Sequence, residues 1–495
     1  MAAAWLLTLG GCSQPTHDVL CFGLASAPVT LDPRFATDAA SSRINRLLYR
    51  RLVDFDEAAR PMPSLATWEV ISPRHYRFTL GKEGREFHNG SRLTARDVKA
   101  TYDFILDAKN ASPHRATLAM IADIKAPDDD TIDFYLNKPD ALFPGMLAIG
   151  IVPERLIAAG HPLGQKPVGS GSFEFAAWPA EGRLRLVRTA DRQTLEFLHV
   201  PDPTVRALKL MRGEIDMLQN DLPPELVKYL EARKDLQVRR GSGSNFSYLG
   251  FNMSDPMMRR LEVRRAIAYA LDRRAIIRHV LGGAARPAGA MFPPDHWAGL
   301  RDLSGYPHDP RRARALLKEA GFDERHPVHI TYKTSSDPFR IRLATIIQSQ
   351  LAEVGIRVDL RSYDWGTFYG DIKAGRFQMF SLSWVGVKTP DIFRYAFHST
   401  SAPPEGANRG RFASPVIDHL IEAAEAEPQP LAQAVKYQEI QRHLLEELPY
   451  VPLWYEDHVF VARRDVMGYA LATDGDYDGL IRVSRRGRHE GGASG

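Results

Sequence analysis

The chain holds 16 histidines and 2 cysteines, the side chains that most often ligate metals or act as nucleophiles, yet their spacing suits neither role. His75, His88, His114 and His161 stand singly near loops, with no pair four residues apart that could hold a metal from one helix face. They read as surface or locally bonded imidazoles, and no resident metal site is expected, although a metal carried inside an organic chelate could use one of them. Cys21 has only Cys12 as company, which excludes a disulfide scaffold and a cysteine-rich zinc site; on its strand it reads as a small buried hydrophobe. The acidic runs Asp128-Asp129-Asp130 and Glu446-Glu447 fall in a turn and at a helix end, so nothing sets two carboxyls across a cleft as glycoside hydrolysis requires. Phosphate-cradling glycine loops, the H-E-x-x-H pair and the G-x-S-x-G elbow are missing in any usable context. Neither an enzyme nor a cofactor is indicated.

The elements that could position a binding site are easier to read. A length of 495 residues exceeds what one core organises and predicts two to four domains. Composition is that of an ordinary globular chain, and 64 Lys+Arg against 60 Asp+Glu leave only +4, which does not point to nucleic acid. After the first dozen positions no run of about 18 apolar residues occurs, so no membrane span is expected. Period-two alternation marks strands at 76–80 and 132–136, and between them Thr94-Ala95-Arg96-Asp97 is a capping box opening a helix with Val98, Tyr102, Ile105 and Leu106 on one face. Residues 53–169 thus read as a self-contained α+β unit.

Strands at 18–24, 183–188 and 194–200, a helix at 203–212 stopped by Gly213 and a strand at 215–217 form one βαβ crossover. A second runs from a strand at 328–333 through a helix opening at Asp337-Pro338 to Gly355 and a strand at 356–361. Together they predict two separate α/β sheets. One long helix is expected over 257–281, with Arg259, Arg264, Arg273 and Arg274 mostly outward as a solvated face. A helix at 365–374 leads into an apolar strand at 377–385, and the charged, glycine-rich tail 485–495 reads as disordered.

At the N-terminus, a short apolar stretch over 2–9 precedes Leu9-Gly10-Gly11-Cys12. This order resembles a bacterial lipobox, which implies cleavage before Cys12 and a diacylglycerol anchor on its thiol.

Several ordered segments resemble the bacterial extracellular solute-binding proteins of oligopeptide, dipeptide and nickel ABC importers, known as family 5. They are Leu31-Asp32-Pro33, the stretch from Pro63 to Val70, Tyr76-Arg77-Phe78-Thr79-Leu80, Phe87-His88-Asn89-Gly90, Pro167-Val168-Gly169-Ser170-Gly171-Ser172-Phe173, and Val263 to Asp272. The resemblance implies a two-lobed α/β periplasmic-binding-protein fold of class II type with an extra inserted α+β domain. On that basis the signal segment is 1–12, lobe I comprises 13–52, 170–245 and 451–484, the insertion 53–169, and lobe II 246–450.

Family members show a W-x-x-D motif whose acid receives a peptide's α-amino group. Here the segment reads Trp384-Val385-Gly386-Val387-Lys388-Thr389-Pro390-Asp391, placing Val387 where the acid is expected. Asp391 could replace it from the next turn or cap the following helix. The expected ligand-binding set is Ala36, Thr37, Asn245, Phe246, Tyr248, Asn252, Tyr363, Trp384, Gly386, Asp391, Arg394 and Tyr395. Phe246 and Tyr248 could equally be strand core, and Arg394 could serve an internal carboxylate. The implied function is capture without chemical change, by a monomer outside the cytoplasm that delivers oligopeptides or peptide-like solutes to ABC permease subunits. The alternatives are a non-peptide cargo (metal chelate, opine-like or glycosidic) and the ligand-sensing domain of a regulator.

Overall fold

A computed structural model describes residues 19–179 and 182–486. Cys12 and positions 487–495 lie outside the described residues. The main element is a single eleven-stranded sheet. Its strands run in the order Ile356–Tyr363, Val328–Ser335, Met379–Trp384, Leu236–Phe251, Tyr450–Arg463, Met217–Gln219, Val19–Leu24, Thr194–His199, Arg183–Arg188 and Phe173–Ala177, with Ala285–Pro287 also paired to Tyr450–Arg463. The two sheets expected from the crossovers are therefore joined.

Two long antiparallel strands make the join. Leu236–Phe251 and Tyr450–Arg463 pair from Leu236↔Arg463 to Gly250↔Tyr450, with irregularities between Gly241 and Asn245 and between Ser247 and Tyr248. Such bulges bend a strand and sharpen its twist. On one side of the first irregularity, Leu236 and Val238 pack with Val459, Val461 and Leu210. On the other, Leu249 and Phe251 enter a core with Val263, Ile267 and Ile330. The polar stretch Arg239-Arg240-Gly241-Ser242-Gly243-Ser244 lies between the cores because it has no apolar side chain to give either. Gly243 is obligatory here: a Cβ would lie 2.0 Å from the Glu456 carbonyl oxygen.

Each half of the sheet carries the crossover its sequence dictates. Asp202 accepts from the Val205 N–H at 2.8 Å, Pro203 occupies the first turn of Pro203–Arg212, and Gly213 ends it at φ 75°. A cap of this kind is worth about 1 kcal/mol. The strand after it lies at Met217–Gln219, two residues later than the pattern suggests, because Ile215 is used under Gly23 instead. In the other half, Val328–Ser335 runs parallel to both Ile356–Tyr363 and Met379–Trp384.

The insertion has its own four-stranded antiparallel sheet, ordered Ala66–Ser72, His75–Leu80, Thr131–Leu136, Ile121–Lys125. Helix Ala95–Leu106 opens where the Thr94 N–H donates to the Asp97 carboxylate at 2.7 Å. It lays Val98, Tyr102 and Ile105 over Phe78, Ile132 and Phe134. Burying each aliphatic side chain here contributes about 1.5–3 kcal/mol relative to exposure.

Three further expectations are corrected. The long helix is two: Leu261–Ala270, then Arg273–His279, whose cap Asp272 accepts from the Ala275 N–H. Arg264 and Arg273 point inward, since their guanidinium groups bond main-chain carbonyls: Leu448, Met258, Arg259 and Glu447 for the first, Ala288, Pro452, Ser304 and Tyr306 for the second. Arg485 is ordered, pairing with Val466 in a two-stranded ribbon and with the Asp216 carboxylate at 2.8 Å. Cys21 sits on Val19–Leu24, and burial, with Asp216 and Glu196 nearby, pushes its thiol up to about 11, so it stays protonated and unreactive. Among the described residues no helix is long and apolar enough to cross a membrane.

Candidate ligand cleft

In open α/β sheets ligands sit beyond the carboxyl ends of parallel strands. Here those ends are Ser335, Tyr363 and Trp384, and helices Pro338–Glu353 and Trp365–Lys373 start beside them, each capped by the aspartate preceding it (Asp337, Asp364). A cavity of about 210 Å³ opens at this edge, lined among others by Tyr248, Ser335, Arg340, Trp365, Ser383, Val385 and Trp454. Ser247 Oγ is 2.6 Å from Ser383 Oγ and donates to Glu456 at 2.7 Å, while Arg340 donates to the same carboxylate at 3.1 Å. Burial works to raise the Glu456 carboxyl, but the Arg340 charge and the Ser247 hydroxyl outweigh it and hold it below the usual range, ionised.

Aromatic rings cluster at the same edge, and Trp365 among them lines the cavity. Trp365 stacks on Tyr369 at 5.3 Å, Tyr369 and Trp384 both face the Arg409 guanidinium, at 5.4 and 4.8 Å, and Tyr395 meets Trp384 edge-on at 6.2 Å. The outer rings are open to solvent, Trp365 at 58% and Tyr395 at 44%. Tyr248 lies beneath, stacked on Tyr450 at 4.0 Å. Beyond the turn at Gly386, Lys388 reaches Asp474 at 2.6 Å and Asp476 at 2.8 Å. Those acids belong to the other half of the molecule, in a segment anchored by Tyr469 and Tyr477 against Phe22 and Phe197.

The expected site residues fall into two groups. Trp384, Tyr395, Tyr363, Gly386 and Tyr248 lie at the edge just described, with Gly386 at φ 67° and open space around it. Asn245, buried with its Oδ1 unpaired, sits at the bend between the two cores. The others are committed elsewhere. Phe246 is strand core, stacked on Tyr248 and packed against Tyr455. Asn252 is at the far end of the strand pair that ends in Trp384, where its amide donates to the Gly375 and Phe377 carbonyls. Ala36 is buried beside His114 of the insertion, and Thr37 next to it is exposed. Asp391 neither caps a helix nor lines the cavity: it is the first residue of Asp391–Phe397, half-buried, and accepts from the Thr389 hydroxyl. Arg394 is held by Glu425 through two bonds of 2.6 and 2.8 Å.

Arg340, Arg409, Lys388, Trp365 and Glu456 escaped the sequence reading. Arg340 was within reach, because a side chain in the first turn after Asp337-Pro338 must lie at the sheet's carboxyl edge. For Arg409, in an irregular loop, and Glu456, on a strand, no local pattern signals a role.

A profile described as "Bacterial extracellular solute-binding proteins, family 5 Middle" matches residues 60–404. The chain belongs to this family. Family 5 proteins are non-enzymatic solute-binding components of peptide and nickel ABC importers. Similar family 5 chains include the dipeptide-binding protein of Escherichia coli, 26% identical over 486 residues that cover 90% of each chain. The probable di/tripeptide-binding protein 5 of Pseudomonas aeruginosa is 29% identical over 471 residues, covering 87% of this chain and 89% of that one. Among solved structures, the periplasmic binding protein DppA of Helicobacter pylori in complex with the peptide STSA superposes with a TM-score of 0.81 at 26% identity, covering 95% of this chain and 98% of that one.

Proposed function

We propose that this family 5 protein captures short peptides or peptide-like solutes at the carboxyl edge of Val328–Ser335 and Met379–Trp384, by closing 13–52, 170–245 and 451–484 as one lobe against 246–450 as the other. The observation that carries this reading is the cavity itself, which opens at that edge with Ser335, Arg340, Trp365 and Ser383 in its lining. At about 210 Å³ it is smaller than most ligand pockets, which favours a short cargo. The relatives named for dipeptides and di/tripeptides, and the peptide held by the Helicobacter pylori protein, support the same class.

Capture is physical. Aromatic faces supply burial indifferent to side-chain sequence, and main-chain groups at the open Gly386 turn bond an extended ligand. Cargo that touches both walls stabilises the closed arrangement by its differential affinity for it, and that arrangement is what a membrane permease reads. The protein acts as a monomer outside the cytoplasm, held to a membrane through Cys12. A non-peptide cargo is the second reading, favoured by Val387 where relatives place the acid for a peptide amine.

Thermal melting with di-, tri- and longer peptides tests the proposal. Stabilisation by short peptides that are recovered intact is expected. Cleavage of the peptide, or a melting point unmoved by the whole series, refutes it.

A further inference from the structure

Seven arginines are buried among the described residues, and six of them are satisfied by carboxylates or main-chain carbonyls. Arg34 has Asp32, Arg85 has Asp130 and Arg188 has Asp191, while Arg206, Arg264 and Arg273 each gather carbonyls. Arg409 is the exception. It is 7% exposed, no carboxylate of the described residues lies within 4.0 Å, and its two side-chain hydrogen bonds go to the hydroxyls of Tyr248 and Tyr369, each at 3.1 Å. The faces of Trp384 and Tyr369 offset part of the cost of burying the charge, but ring quadrupoles do not replace a counter-ion.

The other charges at this cleft are matched internally. Lys388 is taken by Asp474 and Asp476, and Glu456 by Arg340. Val387 adds no acid. One positive charge is left over, 4.8 Å from the ring centroid of Trp384, the last residue of its strand at the sheet's carboxyl edge. Its Nη2 bonds the hydroxyl of the half-buried Tyr369, so a rotation of that side chain frees Nη2 to donate a charge-assisted bond to a carboxylate oxygen.

We propose that Arg409 is a specificity-determining residue of this cleft and that the cargo is recognised through a carboxylate laid between Trp384 and Tyr369, not through an amine. The inference rests on the capture function proposed above and narrows its cargo. It requires that masking a peptide's amine be tolerated and that masking its carboxylate not be.

The test titrates the wild type, Arg409→Gln and Arg409→Lys with trialanine, N-acetyl-trialanine and trialanine amide, and with an N-(1-carboxyethyl) amino acid and its amide as a non-peptide pair. The expected result is that trialanine and its N-acetyl form bind the wild type within threefold of each other and at least tenfold more tightly than the amide. That acid-to-amide ratio falls below threefold in Arg409→Gln and is largely kept in Arg409→Lys. Because the readout is a ratio within one variant, general destabilisation cancels. An amide that binds as well as the acid, or a ratio that survives Arg409→Gln, overturns the inference while leaving peptide capture standing. Acid preference confined to the non-peptide pair upholds Arg409 and removes the peptide reading; binding by neither pair at millimolar concentration removes both.

Discussion

The ammonium of Lys388 stands 2.6 Å from the carboxylate of Asp474, and the two belong to opposite walls of the cleft. Asp476 adds a second contact at 2.8 Å, and the backbone is steadied by His296, whose Nε2 lies 2.8 Å from the Lys388 carbonyl oxygen. Burial works to lower the Lys388 ammonium, but Asp476 and Asp474 outweigh it and keep the group charged. Burial likewise lowers the His296 imidazole to about 4, so that ring stays neutral and adds no charge to the contact. The protein thus joins its two halves with an ion pair one residue beyond Val387.

Replacing Lys388 by Met removes that bridge without removing bulk. A largely desolvated ammonium shared by two carboxylates is worth on the order of 1–2 kcal/mol, which is about a five- to thirtyfold change in the closed-to-open ratio. Small-angle scattering of the ligand-free variant is expected to show a larger radius of gyration than the wild type. Cargo affinity falls in step, and the wild type approaches the variant as salt rises. Equal radii at all salt concentrations would mean the bridge does not govern closure.

The seam between the loop at Asp140 and helices Asp391–Phe397, Pro415–Glu425 and Pro430–Glu447 holds three carboxyls, Asp140, Asp391 and Glu425, facing Arg394, Lys138 and the unbonded hydroxyl of Tyr437. Burial, and then the charge of Glu425, raise Asp140 to about 7; burial raises Asp391 to about 6. In the unfolded chain both titrate near 4, so between about pH 4 and 7 the native state binds more protons and loses stability as pH rises. Asp140→Asn keeps an oxygen for the Leu142 N–H yet carries no charge. The variant and wild type are expected to melt together at pH 5, with the variant a few degrees higher at pH 8. A constant difference across pH would refute the assignment.

Local chemistry was legible wherever it was encoded locally. The Thr94 capping box, the Gly213 stop and the period-two strands of the insertion are each set within a few residues, and their bounds stand within one or two positions. The fusion of the sheets was not legible, because Leu236–Phe251 changes core at a polar stretch that reads as a loop. Within the site, the partner of Arg394 is Glu425, 31 residues away, a distance no local pattern spans. Arg264 and Arg273 were misread for a related reason: amphipathic spacing shows that a side chain is charged, not that distant carbonyls wait for it.

Arg394 and Glu425 separate structure from binding. Removing Arg394 takes two bonds from the buried Glu425 and leaves it only the Lys138 ammonium at 3.4 Å, at a cost of about 1–3 kcal/mol. Arg394→Ala is expected to unfold at markedly lower denaturant concentration. Peptide affinity of the fraction that stays folded should lie within threefold of wild type. A variant of normal stability that no longer binds would restore Arg394 to the cleft.

Trp365 makes the opposite case. Its ring is exposed, touching only Phe368 and Tyr369 among aromatic neighbours, so the free protein gains little from it. At the cavity rim, however, cargo would bury an indole face, and hydrophobic contact over such an area contributes roughly 1–2 kcal/mol. Trp365→Ala should therefore leave the melting point of the ligand-free protein within about one degree while weakening cargo binding about five- to thirtyfold. Tyr248→Phe should do the reverse. Its hydroxyl bonds Arg409 inside the fold, so losing it costs about 1–3 kcal/mol of stability and leaves the cavity lining apolar as before. Isothermal titration beside thermal melting of the two variants checks both, and an affinity loss in Tyr248→Phe larger than in Trp365→Ala would move the binding surface from the exposed rim to the buried floor.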